Sequence, residues 1–233
     1  MNKNEFINAL KELDIDITDN MLENLDTYYK MLIEYNSHTN LNRLTEENEV
    51  YLKHFYDSLT LVKAINLDDQ SLLDVGTGAG FPGLVLKIIF PDLKVILVDS
   101  LNKRIIFLNS VIESLNLKKI VAIHARAEEY AKENKEKYDI VTSRAVANLN
   151  TLSELCIPMV KVGGYFIPMK AEVENELNSA KKAIKTLGGV LKETIIFSLP
   201  KDAGPRTLVK IEKVNKTTDK YPRKFSEIKK KPL

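Results

Sequence analysis

The chain opens with apolar residues recurring at three- and four-residue steps: Phe6, Leu10 and Leu13, then Met21, Leu22, Leu25, Tyr28, Tyr29, Leu32 and Ile33. That period predicts amphipathic helices. Thr18 or Asp19 is placed to cap the second one. A polar stretch, Asn36 to Asn42, follows. A third helix is expected over Glu46 to Ile65, with Val50, Phe55, Leu59 and Val62 on its inner face. After Asp68-Asp69-Gln70 the pattern changes, and short apolar runs alternate with helical ones. Strands are expected at Leu72–Val75, Val95–Val98, Ile120–Ile123, Ile140–Thr142 and Tyr165–Met169. Helices are expected at Leu84–Phe90, Lys103–Leu115, Ala127–Asn134, Leu149–Val160 and Val173–Leu187. Two β-rich runs, Leu191–Leu199 and Leu208–Val214, close the series. Alternating strands and helices imply a mostly parallel sheet with helices on both faces. Two successive strands at the end imply an antiparallel hairpin at one edge. The expected organisation is a helical extension (1–66), an α/β domain (67–219) and a basic tail (220–233).

The 233 residues, 44% of them hydrophobic and 28% charged, allow a sizeable core. One cysteine, Cys156, excludes a disulfide framework. The N-terminus turns polar where a secretory segment would be apolar, and no apolar run is long enough to span a bilayer. A cytoplasmic protein without membrane attachment is the resulting expectation. The net charge of +2 is unevenly spread: residues 1–60 hold 5 basic and 12 acidic residues, and the last 14 hold 6 and 1. Such asymmetry suits a nucleic-acid or other polyanionic partner beside the C-terminal half.

The chemistry concentrates in Leu72-Leu73-Asp74-Val75-Gly76-Thr77-Gly78-Ala79-Gly80-Phe81-Pro82-Gly83, where the first strand passes to its helix. Open α/β sheets bind ligands at the carboxyl ends of their strands. Glycines there permit tight turns and close backbone approach, and Pro82 suits the first helical position. Gly78-x-Gly80-x-x-Gly83 matches a dinucleotide fingerprint as a bare pattern, but its first Gly lies three residues beyond the strand. Asp74-x-Gly76-x-Gly78-x-Gly80 fits better, and resembles the first motif of Rossmann-like S-adenosylmethionine-dependent methyltransferases. Asp99, 23 residues after Gly76 at the end of the next strand, suits ribose hydroxyls in either cofactor class.

Over its whole length the sequence resembles the small-subunit ribosomal RNA guanine-N7 methyltransferases, the RsmG or GidB family. The resemblance rests on Tyr35-Asn36-x-x-x-Asn40-Leu41, His54-x-x-Asp57-Ser58-Leu59, the run DVGTGAGFPG at 74–83 and Asp99-Ser100-x-x-Lys103-Arg104. It continues through Arg126-Ala127-Glu128, Ser143-Arg144-Ala145, Pro205-Arg206, Tyr221-Pro222-Arg223-Lys224 and Lys231-Pro232-Leu233. Two departures are Phe225-Ser226-Glu227-Ile228, where the family often carries Gly and Pro, and Tyr35 in place of the usual Trp.

The resemblance implies S-adenosylmethionine as cofactor, with contacts at Gly76, Phe81, Ala127, Glu128 and Arg144. Gly78 in the loop and Asp99 at the ribose are added from the residues themselves. It implies methyl transfer to N7 of a guanine in 16S ribosomal RNA, as free RNA or in the 30S particle. The alternative is an S-adenosylmethionine-dependent methyltransferase acting on a small molecule or protein. No catalytic acid or base is assigned; Arg144 is the candidate for positioning. RNA contacts are expected from Lys103, Arg104, Arg126, Lys170, Arg206, Arg223 and Lys224. His38, His54 and His124 lack metal-ligand spacing, so no metal is expected. Cys156, followed by Ile157-Pro158, reads as a core residue, and a monomer is expected.

Overall fold

The computed structural model describes residues 1–39, 45–144 and 147–233, with the backbone alone for His38 and Thr39. Asn40 and Leu41 of the first motif and Ala145 after Arg144 lie outside the described residues.

Seven strands form one sheet in the order β3-β2-β1-β4-β5-β7-β6. They are β1 (Ser71–Val75), β2 (Lys94–Asp99), β3 (Ile120–His124), β4 (Tyr138–Arg144), β5 (Val160–Lys170), β6 (Gly189–Ser198) and β7 (Pro205–Lys213). The first five pair in parallel; β7 inserts antiparallel between β5 and β6. The expected edge hairpin is therefore present, and chain order reverses between β1 and β4, opening the crevice where such sheets bind ligands.

Side-chain alternation splits the core between the two faces. Leu72, Val95, Leu97, Ile140, Ile167 and Leu208 point to one side. Leu73, Val98, Val141, Phe166 and Val209 point to the other. The first side is covered by α1 (Lys3–Lys11), α2 (Asp19–Thr39), α5 (Gly83–Ile89) and α6 (Asn102–Ser114). The second is covered by α7 (Ala127–Glu133), α8 (Leu149–Cys156) and α9 (Glu174–Thr186). The Oγ1 of Thr18 accepts the Met21 N–H, so it caps α2. Phe6, Leu10, Leu25, Tyr28 and Leu32 join the sheet's own cluster, so the N-terminal helices share the core of the α/β unit.

Two predicted helices come out differently. The stretch expected as one helix over 46–65 is helical throughout 47–63 but changes pitch: α3 (Glu47–Val50), a π-helical turn Tyr51–Tyr56, α4 (Asp57–Leu59) and a 3-10 turn Thr60–Lys63. The wide turn buries Tyr51, Leu52, Phe55 and Tyr56 together and presents Lys53 and His54 to the sheet's carboxyl edge. Such turns often occur at functional sites. The helix expected over Leu149–Val160 ends at Cys156. Pro158 cannot continue it, because the ring lacks an N–H and clashes with the preceding turn, so Ile157–Met159 form a 3-10 turn and Val160 begins β5.

The segment 220–233 is folded onto the second face. Tyr221 and Ile228 are buried, Leu233 packs beside them, and Phe225–Lys230 form α10.

Candidate active site

A single carboxylate ties the glycine loop to its flanking elements. Asp74, at the end of β1, accepts the Thr77 hydroxyl at 2.7 Å and the Gly83 N–H at 2.8 Å through Oδ2. Burial pushes its pKa up to about 6, against the pull of those hydrogen bonds. Gly76, Gly78 and Gly80 all have positive φ. At Gly80 an added Cβ would lie 2.7 Å from the Tyr28 hydroxyl, which donates to the Ala79 carbonyl, so α2 packs directly beneath the loop. At Gly78 an added Cβ would meet nothing within 4 Å. Pro82 falls one residue before α5, as its cap, and the Phe81–Pro82 peptide is cis.

Above the loop lies a cavity of about 690 Å³. It is walled by Gly76, Gly78 and Phe81, by Asp99 and Arg104 across the β2 end, by Ala127 and Glu128 beyond β3, and by Arg144 at the end of β4. All seven residues assigned to the cofactor therefore border one space. Its carboxylates, Asp99 and Glu128, suit the hydroxyls of a sugar, and its guanidinium groups suit a carboxylate. The open space at Gly78 admits close approach of that ligand to backbone. These residues fit S-adenosylmethionine. Asp99 is buried and already engaged. Its Oδ2 accepts from Gly78 N–H and Arg104 Nη1, each at 2.9 Å, and its Oδ1 from Leu101 N–H. Contact with both ribose hydroxyls through both oxygens requires Arg104 to yield its place.

Arg144 is fixed from the helical side. Its Nη1 donates to Asp57 Oδ2 at 3.0 Å and to the Lys53 carbonyl, and its Nη2 faces His54 Nδ1 at 3.0 Å. A guanidinium only donates, so Nδ1 accepts and His54 is neutral. Burial, aided by the Arg144 charge, lowers the His54 pKa to about 3. The imidazole stacks on Phe81 with ring centroids 4.3 Å apart, and the Arg144 guanidinium lies 5.2 Å from the same ring. Phe81 is thus both packed and cavity-lining.

The seven cations expected at RNA divide into two groups. Arg104 pairs with Asp99, Lys170 with Glu176 at 2.8 Å, Arg206 with Asp57 at 2.9 Å and Arg223 with Glu154 at 2.6 Å. Lys103, Arg126 and Lys224 are exposed, and Arg126 also lies 3.9 Å from Glu128. Cys156 is fully buried, and burial raises its thiol pKa, as a core residue requires. Among the described residues no cluster of three or more potential ligands could hold a metal, and no helix is long and apolar enough to cross a membrane.

Two site residues escape sequence reading. Asp57 bridges Arg144 and Arg206, though in the sequence it is only part of a helical motif. Phe225 lines the same 690 Å³ cavity from α10; in the sequence it is only an aromatic residue amid tail charges, at a departure from the family pattern.

Comparison with known proteins agrees with this geometry. Residues 21–202 match the GidB family, described as rRNA small subunit methyltransferase G. Ribosomal RNA small subunit methyltransferase G of Lachnoclostridium phytofermentans is 52% identical over 232 residues, covering 98% of this chain and 96% of that protein. The protein of the same name from Bacillus subtilis is 48% identical over 237 residues, covering 100% and 99%. Among solved structures, M. jannaschii TYW2 in complex with AdoMet aligns with a TM-score of 0.54 at 18% identity, covering 64% of this chain and 71% of that one. A SAM dependent methyltransferase from Aquifex aeolicus aligns with a TM-score of 0.53 at 16% identity, covering 74% and 96%. These two share the fold.

Proposed function

The chain belongs to the GidB family, the small-subunit ribosomal RNA methyltransferases G, and on that premise we propose that it methylates N7 of a guanine in 16S ribosomal RNA by direct in-line attack. The observation that carries this is identity of about half, 52% and 48%, along nearly the entire length of relatives so named. The cofactor is S-adenosylmethionine. It supplies a methyl group on a sulfonium, activated towards nucleophiles because a neutral thioether leaves.

Guanine N7 is an acceptor with a free lone pair and no proton. No side chain has to remove a proton before transfer, so the protein's task is alignment. Near-attack positioning can supply about 7–11 kcal/mol. We assign the cofactor to Gly76, Gly78, Phe81, Asp99, Ala127, Glu128 and Arg144, the residues walling the cavity. Arg144 is the positioning residue: Asp57, His54 and Phe81 hold its guanidinium in one place. Lys103, Arg126 and Lys224, with the outer faces of Arg104, Lys170, Arg206 and Arg223, form the RNA-facing set. On this reading the partner is small-subunit RNA or the 30S particle, and the protein works in the cytoplasm as a monomer. Residues 1–66 and 220–233 then act as additions to a catalytic unit at 67–219.

The test uses labelled S-adenosylmethionine with ribosomal RNA and small subunits from a strain lacking this gene. Strand cleavage specific to N7-methylguanine locates the product. One cleaved position in 16S RNA is the expected result. Label without cleavage overturns the target atom, and no label in either substrate favours a small-molecule or protein acceptor.

A further inference from the structure

Arg144 borders two cavities. The second, of about 640 Å³, is bounded by Lys53, Asp57, Met169, Lys170 and Arg206 among others. Both are of the size that takes small-molecule or nucleotide ligands. Among the described residues Arg144 alone lines both. Of the three acids lining the second space, Asp57 holds two arginines and Glu176 holds Lys170 and the Leu149 N–H, while Glu172 is exposed at the surface. The Arg144 bonds to Lys53, Asp57 and His54 use three of its five N–H groups. That leaves Nε–H and one Nη2 hydrogen without a partner among the described residues.

We infer that this second cavity receives the acceptor base, and that Arg144 selects guanine by donating a hydrogen bond to its O6. The inference rests on the function proposed above. Guanine presents N7 and O6 side by side as acceptors, whereas adenine presents N7 beside an N6 amino donor. A guanidinium at the junction attracts the first edge and repels the second. A base held at O6 has N7 next along the same edge, directed to the side where the cofactor cavity lies. Met169 gives the space an apolar wall, and Lys53, Lys170 and Arg206 give cations for flanking phosphates. An A-form duplex buries N7 in a narrow groove, so the base has to be unpaired or flipped to enter. Asp57 fixes the selecting group beforehand: its side chain is 4% exposed, and its two oxygens hold Arg144 at 3.0 Å and Arg206 at 2.9 Å. Asp57 is therefore a positioning residue acting through Arg144.

Two measurements test this. The first places inosine or 2-aminopurine at the target position of small-subunit RNA assembled into particles. Inosine keeps O6 and lacks the 2-amino group; 2-aminopurine keeps the 2-amino group and lacks O6. Transfer to inosine should stay within about 10-fold of guanine, and transfer to 2-aminopurine should fall at least about 100-fold, as for a site built to bond the missing group. Equal transfer to both analogues overturns the role of Arg144. The second uses Ala171→Cys, an exposed position on the cavity wall, in a chain whose natural cysteine is buried. A bulky maleimide on this thiol should lower transfer at least about 30-fold relative to the same variant unmodified, by denying the base its space. S-adenosylhomocysteine affinity by calorimetry should change less than about threefold, because the cofactor lies in the neighbouring cavity. An adduct that leaves transfer intact overturns the cavity assignment. If the wild-type protein labels no RNA at all, the proposed function itself fails, and this inference falls with it.

Discussion

Asp57 and Arg144 stand 87 positions apart in the chain and 3.0 Å apart at the site. The contact joins the irregular helical run of the N-terminal extension to the carboxyl end of β4. The same carboxylate reaches Arg206 at the start of β7, so three distant segments converge on one buried acid. The extension thus shares with the sheet both an apolar core and a buried acid that holds two arginines of the α/β unit.

Replacing Asp57 by Asn keeps the volume and removes the charge. Two guanidinium groups then lose their shared carboxylate, and the fold should lose about 1–3 kcal/mol. Methyl transfer, measured as kcat/KM on small subunits, should drop by about 100-fold through misplacement of Arg144. A purely structural role would lower the melting temperature and leave substrate choice alone. The positioning role predicts that preference for inosine over 2-aminopurine narrows in the variant.

The Arg223 pair tests the tail. Glu154 is completely buried and accepts the Arg223 backbone N–H at 3.0 Å, Nε at 2.8 Å and Nη2 at 2.6 Å. Arg223→Ala leaves that buried carboxylate without its cation and with only the residue-223 backbone N–H, a loss of about 3 kcal/mol. Denaturant titration should show it, and limited proteolysis should cut first near residue 220. Unchanged stability would mean that the Arg223–Glu154 pair contributes little to the fold.

Local patterns carried much of the architecture. The strand–helix alternation, the closing hairpin and the glycine loop all rest on neighbours a few positions apart, and all are present. The end of the helix at Cys156 also has a local cause, Pro158, although the apolar run continues through Val160. What stayed hidden is non-local. Nothing in the sequence says that Asp57 meets Arg206 at a separation of 149 residues, or that Glu154 meets Arg223 at 69. Charge counts made Arg104, Lys170, Arg206 and Arg223 look like free cations, because a basic residue and its buried partner carry no shared local signature.

His54 makes stability depend on pH. Its folded pKa of about 3 lies below the ordinary value of 6.5, because burial and the Arg144 charge oppose protonation. Below pH 6.5 the unfolded chain binds this proton and the folded one does not. The contribution of neutral His54 is therefore complete above pH 6.5 and is lost as pH falls towards 3, at up to about 1.4 kcal/mol per unit. Unfolding free energy measured from pH 7 to 5 should fall more steeply for wild type than for His54→Asn. Parallel slopes would show that the imidazole gains its proton without opening the site.

The two glycines two residues apart in the loop should fail for different reasons. Gly78 has φ +64° and open space at its Cβ position, whereas Gly80 has φ +109° and would place a Cβ 2.7 Å from the Tyr28 hydroxyl. Gly78→Ala meets only the left-handed backbone cost, about 1–2 kcal/mol. Its new methyl group projects into free space beside a loop that borders the cofactor cavity. The variant should fold, and S-adenosylhomocysteine binding by calorimetry should weaken by about 10-fold or more, as for a bulky group against a close backbone approach. Gly80→Ala adds a clash with a fully buried tyrosine whose hydroxyl supports the Ala79 carbonyl. It should melt several degrees lower even without ligand, since overpacking costs about 1–3 kcal/mol beyond the backbone term. Tyr28→Phe in the Gly80→Ala background removes the clashing oxygen and should recover part of that loss. If the double variant is no more stable than Gly80→Ala alone, the backbone conformation at residue 80 or its contacts with Leu84 (2.9 Å) and Leu108 (3.0 Å), and not the approach of α2, govern the loop.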